Sequence, residues 1–316
     1  MKAYFQLNPE ITFLNHGSFG ACPKPVFENY QSFQSDMESD PVYFIQKKYQ
    51  IHLAKAKKAL ARFIYCDPND FIFTPNKTKV IFLNQISSTT ALIFPVKEIC
   101  DKARELGIIT IIDGAHVPGH IDLNISDLNP DYYTGTLHKW MLAPKGSSFL
   151  YVKKELQNQI DPLVVSWGYE SLIPSESQFL DYHEYQGTND NSAFLCTPAV
   201  IDFLQENDWK QKSAEAKALV LKNYPRFCAL MNSKPIAPLS TEFLGQMASV
   251  PVQTTKPQEL KDLLYDKYKI QVPIMLLNDK VYLRYSINAY NSQADLDVLY
   301  KALEEIIHTT NLIEVD

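Results

Sequence analysis

An apolar run ends in an acid in the stretch Ile108-Ile-Thr-Ile-Ile-Asp113-Gly-Ala-His116, near the middle of the 316-residue chain. The run predicts a buried β-strand because it is short, rich in β-branched residues and preceded by Gly107. Before it, Val96 to Leu106 has apolar residues at helical spacing, and Val80 to Gln85 predicts an earlier strand. Strand, helix and strand in this order predict a βαβ unit with parallel strands. Ligands bind beyond the carboxyl ends of such strands, where Asp113 is expected.

A second motif, Thr134-Gly-Thr-Leu-His-Lys139-Trp140, places a lysine among hydroxyl, imidazole and aromatic side chains. Pyridoxal phosphate (PLP) requires a lysine amine, which forms a Schiff base with its aldehyde, and a carboxylate, which keeps its ring nitrogen protonated. Taken singly, Asp113 would be an ordinary cap and Lys139 a solvated side chain. The combination favours a PLP site in which Lys139 attaches the cofactor and Asp113 binds the ring nitrogen.

Three further motifs lie far from this centre: Phe13-Leu-Asn-His-Gly-Ser-Phe-Gly20, Tyr185-Gln-Gly-Thr188 and Val281-Tyr-Leu-Arg284-Tyr-Ser286. Together with the central motifs they resemble the class V aminotransferase family of fold-type I PLP enzymes, in particular its isopenicillin N epimerase-like branch. The resemblance covers nearly the whole chain. It implies an α/β protein with the PLP-dependent transferase fold type I, in which a mostly parallel central sheet is joined to a smaller α+β C-terminal domain.

The resemblance and the needs of the cofactor assign roles to further polar residues. His116 is expected either to reach the phenolate oxygen or stack near the ring, or merely to cap the following loop, and both alternatives stay open. Thr136 and His138 are suited to bind the phosphate by directed hydrogen bonds, and Ser88 is expected near the ring. In the family a Gly-Thr pair like Gly187-Thr188 comes from the neighbouring subunit and touches the phosphate, which implies a homodimer.

Residues for the substrate are expected near both ends of the chain. Arg284 matches the family's arginine that binds the substrate carboxylate, and a planar guanidinium suits such a bidentate contact. The alternative is a structural ion pair at the edge of the sheet. Asn15 and His16 are expected to shape the substrate pocket. The predicted partner is therefore a small amino-acid-like substrate, with Lys139 as the base that moves its Cα proton.

One stretch departs from the family pattern. Phe73-Thr-Pro-Asn76-Lys-Thr78 resembles the start of the phosphate-binding turn, so Asn76 and Thr78 are expected to approach the phosphate. The chain then runs straight into the next strand, whereas relatives have a long segment of strands and helices there. The large domain is therefore expected to be shortened internally near residues 78–82, with a reduced sheet. Loss of the phosphate-binding helix and of the ring-stacking residue predicts weak PLP binding and little activity.

Three functional alternatives follow from these observations. The first is an active PLP enzyme of epimerase, lyase or aminotransferase type that acts at the Cα of an amino acid. The others are a degenerate, non-catalytic relative acting as a binding or scaffold protein, and an internally truncated, inactive product. The five cysteines form no recognisable persulfide loop, so desulfuration ranks below the other reactions. They also form no cluster with histidines, so no metal site is expected.

Length and composition exclude several classes of protein. A chain of 316 residues that is 46% hydrophobic can form two domains, predicted here as a PLP-binding domain of residues 1–205 and a small domain of residues 206–316. The net charge of −6 includes no concentrated basic patch, which argues against nucleic acid as a partner. No signal peptide or apolar run of membrane-spanning length is visible, so no membrane contact and a cytoplasmic location are expected.

Overall fold

The computed structural model describes residues 1–74, 83–105 and 108–315. The α-helices are α1 (His16–Phe19), α2 (Lys24–Ser39), α3 (Pro41–Tyr43), α4 (Tyr49–Ile64), α5 (Val96–Glu105), α6 (Ile125–Leu128), α7 (Gln178–Glu184), α8 (Ser192–Leu195), α9 (Thr197–Glu206), α10 (Trp209–Leu230), α11 (Pro257–Asp266) and α12 (Gln293–Thr309). A π-helical turn (Phe44–Lys48) joins α3 to α4, and short 3-10 helices lie at Lys2–Tyr4 and Lys154–Gln159. The strands are β1 (Thr12–Phe13), β2 (Phe71–Thr74), β3 (Leu83–Asn84), β4 (Ile111–Asp113), β5 (Tyr132–Thr136), β6 (Ser148–Val152), β7 (Met247–Val252), β8 (Ile270–Gln271), β9 (Ile274–Leu277) and β10 (Lys280–Ser286).

The central sheet contains five described strands in the order β2-β6-β5-β4-β3. Strands β3, β4 and β5 are parallel, and β6 is antiparallel to both β5 and β2, so four of these five strands run in one direction. Helix α5 connects β3 to β4, as the predicted βαβ unit requires. The α/β class and the mostly parallel sheet are therefore confirmed. Asn84 lies opposite Asp113 in the register, which brings the ends of β3 and β4 together.

The predicted shortening of the large domain cannot be located in the structure. Residues 78–82 lie outside the described residues, and so do Asn76 and Thr78 of the expected phosphate turn. Strands β2 and β3 border this part of the chain and lie at opposite edges of the five-stranded sheet. The position of the shortening therefore stays a prediction.

The strand predicted from Ile108 begins later than expected. Ile108 and Ile109 are both more than half exposed, and β4 begins at Ile111. Just before it, the side chain of Asp131 accepts hydrogen bonds from the backbone N–H and the hydroxyl of Thr110, at 2.7 and 3.1 Å. The side chain of Asp131 thus takes the N–H of Thr110, whereas the carbonyl oxygen of Thr110 still accepts from the backbone N–H of Tyr132 at 2.9 Å, and the regular pairing of β4 begins at Ile111.

The C-terminal part contains a three-stranded antiparallel sheet in the order β7-β10-β9. Helices α10, α11 and α12 bury their apolar faces in a core around this sheet, separate from the larger core around the central sheet. Strand β1 pairs in parallel with β8, which ties the N-terminal segment to the C-terminal part. Two cores are compatible with two domains, and the boundary after residue 205 stays a prediction.

Helix α10 continues to Leu230 with Pro225 inside it. A proline removes one backbone hydrogen bond and normally ends a helix. Here Val220, Tyr224 and Phe227 are all fully buried in the C-terminal core. Burial of this face stabilises the helix on both sides of the proline, so packing overrides the local preference. Among the described residues, no helix is both long and apolar enough to cross a membrane.

The N-terminal loop packs directly against the segment that contains the site lysine. Gly20 has φ 71° and ψ 164°, a backbone conformation reserved for glycine. A Cβ on Gly20 would overlap the carbonyl oxygen of His138 and lie 2.9 Å from the Cα of Lys139. The loop can therefore approach the lysine backbone this closely only because residue 20 is glycine.

We expect Gly20→Ala to destabilise the protein by roughly 3 kcal/mol and Gly146→Ala by about 1 kcal/mol. Gly146 is the matched control, because it also has a positive φ, of 91°, but a Cβ there would meet nothing within 4 Å. The difference isolates the contact with His138 and Lys139. Urea unfolding of both variants measures it. Equal losses of stability would show that the close approach of the loop is unimportant.

Candidate active site

Asp113 ends β4 with its carboxylate nearly buried. Asn84 donates from Nδ2 to one carboxylate oxygen at 2.8 Å, and the backbone N–H of Ala115 donates to the other at 2.8 Å. These bonds orient the carboxylate at the carboxyl end of the parallel strands. Asn84 was missed by the sequence reasoning. Its signal was its position, because it ends the strand that precedes Asp113 in the βαβ unit.

Lys139 follows β5, with its side chain half-buried. Burial lowers the pKa of its amine to about 8, although the charge of Asp113 acts in the opposite direction and that of Arg284 adds to the lowering. Its Nζ lies 3.4 Å from Nε2 of His116. A lysine with this pKa is partly the neutral amine near neutral pH, and the neutral amine is the nucleophile.

His116, the neighbour of this amine, is buried. Its Nδ1 accepts a hydrogen bond from the indole N–H of Trp140 at 3.2 Å. Burial, reinforced by the charges of Lys139 and Arg284, holds the pKa of His116 well below its usual value of 6.5. The imidazole is therefore neutral, and both of its nitrogens face side chains of the lysine segment. A contact with the cofactor ring stays a prediction.

His16 supports the backbone of the lysine rather than its amine. Its Nε2 donates to the carbonyl oxygen of Lys139 at 2.9 Å, and its Nδ1 accepts from the hydroxyl of Tyr290 at 2.5 Å. Burial lowers the pKa of His16 to about 3. Asn15 is half-buried and accepts from the hydroxyl of Ser18 at 2.5 Å. The predicted contacts of Asn15 and His16 with substrate stay predictions.

Arg284 projects from β10 into the interior and is only 1% exposed. Its Nη1 donates to the carbonyl and hydroxyl oxygens of Ser88, at 2.5 and 3.1 Å, and its Nη2 donates to the hydroxyl of Ser18 at 3.0 Å. Its Nε is buried and has no hydrogen-bond partner in the described part of the chain. No carboxylate in the described part of the chain lies within 4 Å, so the alternative of a structural ion pair finds no support there.

Two N–H groups of Arg284 therefore remain available, one on Nε and one on Nη2. A buried cation without an anion is unfavourable, and burial lowers the pKa of this guanidinium to about 10. Two N–H groups are what a bidentate carboxylate contact needs. The arginine thus fits a substrate carboxylate, and the amine of Lys139 fits the aldehyde of PLP. Ser88 holds the guanidinium, and its expected position near the ring stays a prediction.

The other residues expected at the phosphate are Thr136, His138 and Thr188. Thr136 is buried at the end of β5, opposite Ser148. His138 donates from Nδ1 to the carbonyl oxygen of Ser147 at 3.1 Å. Thr188 is exposed on the loop after α7. All three assignments to the phosphate stay predictions.

The sequence model of the family described as Aminotransferase class-V matches residues 40–299. The chain belongs to this family. Its cofactor is pyridoxal phosphate, so the predicted cofactor is confirmed at the level of the family.

Two curated relatives match almost the whole chain. Isopenicillin N epimerase of Streptomyces clavuligerus is 27% identical over 385 residues, which cover 95% of this chain and 96% of the relative. Hercynylcysteine sulfoxide lyase of Schizosaccharomyces pombe is 25% identical over 387 residues, covering 96% of each. Both alignments are longer than the 316 residues of this chain, so the relatives contain residues without a counterpart here.

A solved structure supports the fold. The apo cysteine desulfurase of Thermococcus onnurineus NA1 superposes with a TM-score of 0.82 at 16% identity, covering 97% of each chain. The expected fold type I is therefore confirmed.

Asp113 raises the pKa of the Lys139 amine and Arg284 lowers it, so removing either charge should shift this pKa in opposite directions. Removing the negative charge in Asp113→Asn should lower the pKa of the Lys139 amine, and removing the positive charge in Arg284→Gln should raise it, each by about half a unit. Competitive acetylation without added PLP, followed by peptide mapping across pH 6–11, measures this pKa. Lys145, which is exposed, is the internal control. Shifts of the same sign in both variants would contradict the arrangement.

Proposed function

We propose that this protein is a PLP-dependent enzyme that acts at the Cα of an amino acid or amino-acid-like substrate. The observation that carries the proposal is the buried Arg284, a cation without a carboxylate partner among the described residues, near an amine whose pKa is lowered to about 8. Lys139 is also influenced by the charge of Asp113. One site therefore contains an amine, a carboxylate and an open guanidinium.

Each group has a separate task in this proposal. Bound PLP supplies an electron sink for the bond that is broken at Cα. Asp113, oriented by Asn84, would hold a proton on the ring nitrogen. Lys139 would hold the cofactor through its amine and would accept and return the Cα proton of the substrate. Arg284 binds the α-carboxylate through Nε and Nη2 and so sets which bond at Cα is presented to the cofactor.

The cysteines favour epimerase, lyase or aminotransferase chemistry over desulfuration. A persulfide-forming cysteine must be a thiolate and accessible. Burial raises the pKa of Cys22 and of Cys66 to about 12 and that of Cys228 to about 11. It also raises the pKa of Cys100 and Cys196. Burial therefore disfavours the thiolate form of all five cysteines.

A non-catalytic relative is the second candidate function. It is favoured by the length of the alignments, which shows that relatives contain residues this chain lacks. If the lost residues include the phosphate cup and the ring-stacking side chain, PLP binding is weak and turnover is low. The sequence-based expectation of weak binding belongs to this candidate.

The attachment of the cofactor is tested with a matched pair of lysines. Wild type and Lys145→Ala, treated with PLP and then borohydride, should retain the cofactor on the peptide containing Lys139, whereas Lys139→Ala should retain less than about a tenth as much. Circular dichroism confirms that the variants are folded. Equal labelling of Lys139→Ala would refute the assignment of the lysine, and an unlabelled wild type would favour the second candidate.

We further propose that two copies of the chain form a homodimer through the segment of residues 163–173. This segment exposes several large apolar side chains: Leu163 is 95% exposed, Leu172 99% and Ile173 90%. An exposed apolar cluster of this kind marks an interface in a protein. The segment leads into α7 and the loop with Thr188, which the resemblance assigns to the neighbouring subunit.

Replacing both Leu172 and Ile173 by serine should convert the dimer to a monomer and weaken association at least tenfold, because about 25 cal/mol per Å² of buried apolar surface is lost. Light scattering over a dilution series measures the mass. Leu276→Ser, which removes an apolar side chain that is 65% exposed on β9, is the control. A monomeric wild type, or a double variant that stays dimeric, would contradict the proposal.

A further inference from the structure

The indole of Trp140 restricts where His116 can carry its proton. Trp140 is fully buried, and its N–H points to Nδ1 of His116 at 3.2 Å. An indole N–H can only donate a hydrogen bond, so Nδ1 must present a lone pair. A neutral imidazole with a lone pair on Nδ1 carries its proton on Nε2. A doubly protonated imidazole would direct an N–H against the indole N–H and lose this bond.

The proton on Nε2 faces the amine of the site lysine. Nε2 of His116 and Nζ of Lys139 are 3.4 Å apart. This N–H can donate to Nζ only if Nζ has a lone pair, that is, if Lys139 is a neutral amine. An ammonium group would instead direct its own hydrogens against the N–H. The arrangement therefore favours the neutral amine.

We propose that Trp140 is a positioning residue that holds His116 in the Nε2–H tautomer and so presents an N–H to the amine of Lys139. The inference rests on the proposed function of Lys139, which needs a neutral amine to attach PLP. Trp140 would then have a role in the site in addition to its packing in the hydrophobic core.

The surroundings of Trp140 hold the indole in place. Its ring stacks on His120, with centroids 4.2 Å apart, and lies 5.1 Å from the ring of His16. His120 makes two hydrogen bonds of its own. Its Nδ1 donates to the carbonyl oxygen of His116 at 2.9 Å, and its Nε2 accepts from the backbone N–H of Gln246 at 2.6 Å. The indole therefore has little freedom to turn away from His116.

The charged and titratable neighbours do not disturb the two contacts of His116, with Trp140 and with Lys139. Lys139 faces Asp113 and Arg284 besides His116, and His116 faces Arg284, His120 and His16. Burial lowers the pKa of both His16 and His120 to about 3, so neither is a competing acid near neutral pH. The charge of Arg284 disfavours the ammonium form of Lys139, and the charge of Asp113 favours it. The N–H of His116 acts in the same direction as Arg284.

The test reads the tautomer directly. The full chain, labelled with ¹⁵N-histidine and prepared without PLP, is studied by long-range ¹H–¹⁵N spectra from pH 5 to 9, with His116→Gln assigning the signal. Wild type should show only Nε2–H and no titration. Trp140→Phe should show both tautomers of His116, and its Lys139 amine, followed by competitive acetylation, should have a pKa raised by about one unit.

Trp209→Phe is the matched control, because Trp209 is a second buried indole, and its N–H has no hydrogen-bond partner among the described residues. It should leave both readouts unchanged. If Trp140→Phe does not fold, β-(3-benzothienyl)alanine at position 140 keeps the shape of the indole and removes only the N–H. An Nδ1–H tautomer in wild type, or unchanged readouts in the position-140 variant, would overturn the proposal. Neither readout depends on PLP, so the proposal can fail while attachment of PLP to Lys139 stands, and the reverse.

Discussion

The hydrogen bond from His16 to the carbonyl oxygen of Lys139 joins the parts of the chain on which the site depends. His16 belongs to the N-terminal loop, Lys139 follows a strand of the central sheet, and Tyr290, which bonds the other nitrogen of His16, comes from the C-terminal part. The carbonyl oxygen of Lys139 also accepts from the backbone N–H of Leu142 at 3.2 Å, so His16 is its partner from outside the lysine segment. The imidazole of His16 therefore links the backbone of the lysine to both other parts of the chain.

Burial then gives each ionisable group a different task. It lowers the pKa of the Lys139 amine to about 8 and that of Arg284 to about 10, so the first group becomes a usable nucleophile while the second remains a cation. The carboxylate of Asp113 is held by Asn84 and Ala115 and does not pair directly with either cation. The guanidinium bonds hydroxyl and carbonyl oxygens instead of a carboxylate. The site is thus built to receive an anion, which is unfavourable for stability and useful for binding.

The sequence predicted the parts of the site that follow from strand ends. Asp113 lies at the carboxyl edge, as expected from the buried run that ends there. Contacts between distant segments could not be predicted: that His16 reaches the Lys139 backbone, that Ser18 and Ser88 hold Arg284, and that Trp140 faces His116. Each depends on how loops pack, and no periodic pattern encodes that packing. The start of β4 was misjudged because the side chain of Asp131, more than twenty residues later, bonds the backbone at Thr110.

The central claim is that these groups still act together at Cα in a chain shorter than its relatives. Loss of the α-proton tests it most directly: the full chain with PLP is incubated in D₂O with a panel of amino acids, and exchange of the Cα proton for deuterium is followed by ¹H NMR. The account predicts exchange of at least one amino acid by wild type, at least a hundredfold slower exchange by Lys139→Ala, and a loss of tenfold or more at low substrate concentration for Arg284→Gln. A wild type that binds PLP on Lys139 and exchanges no amino acid of the panel would contradict it.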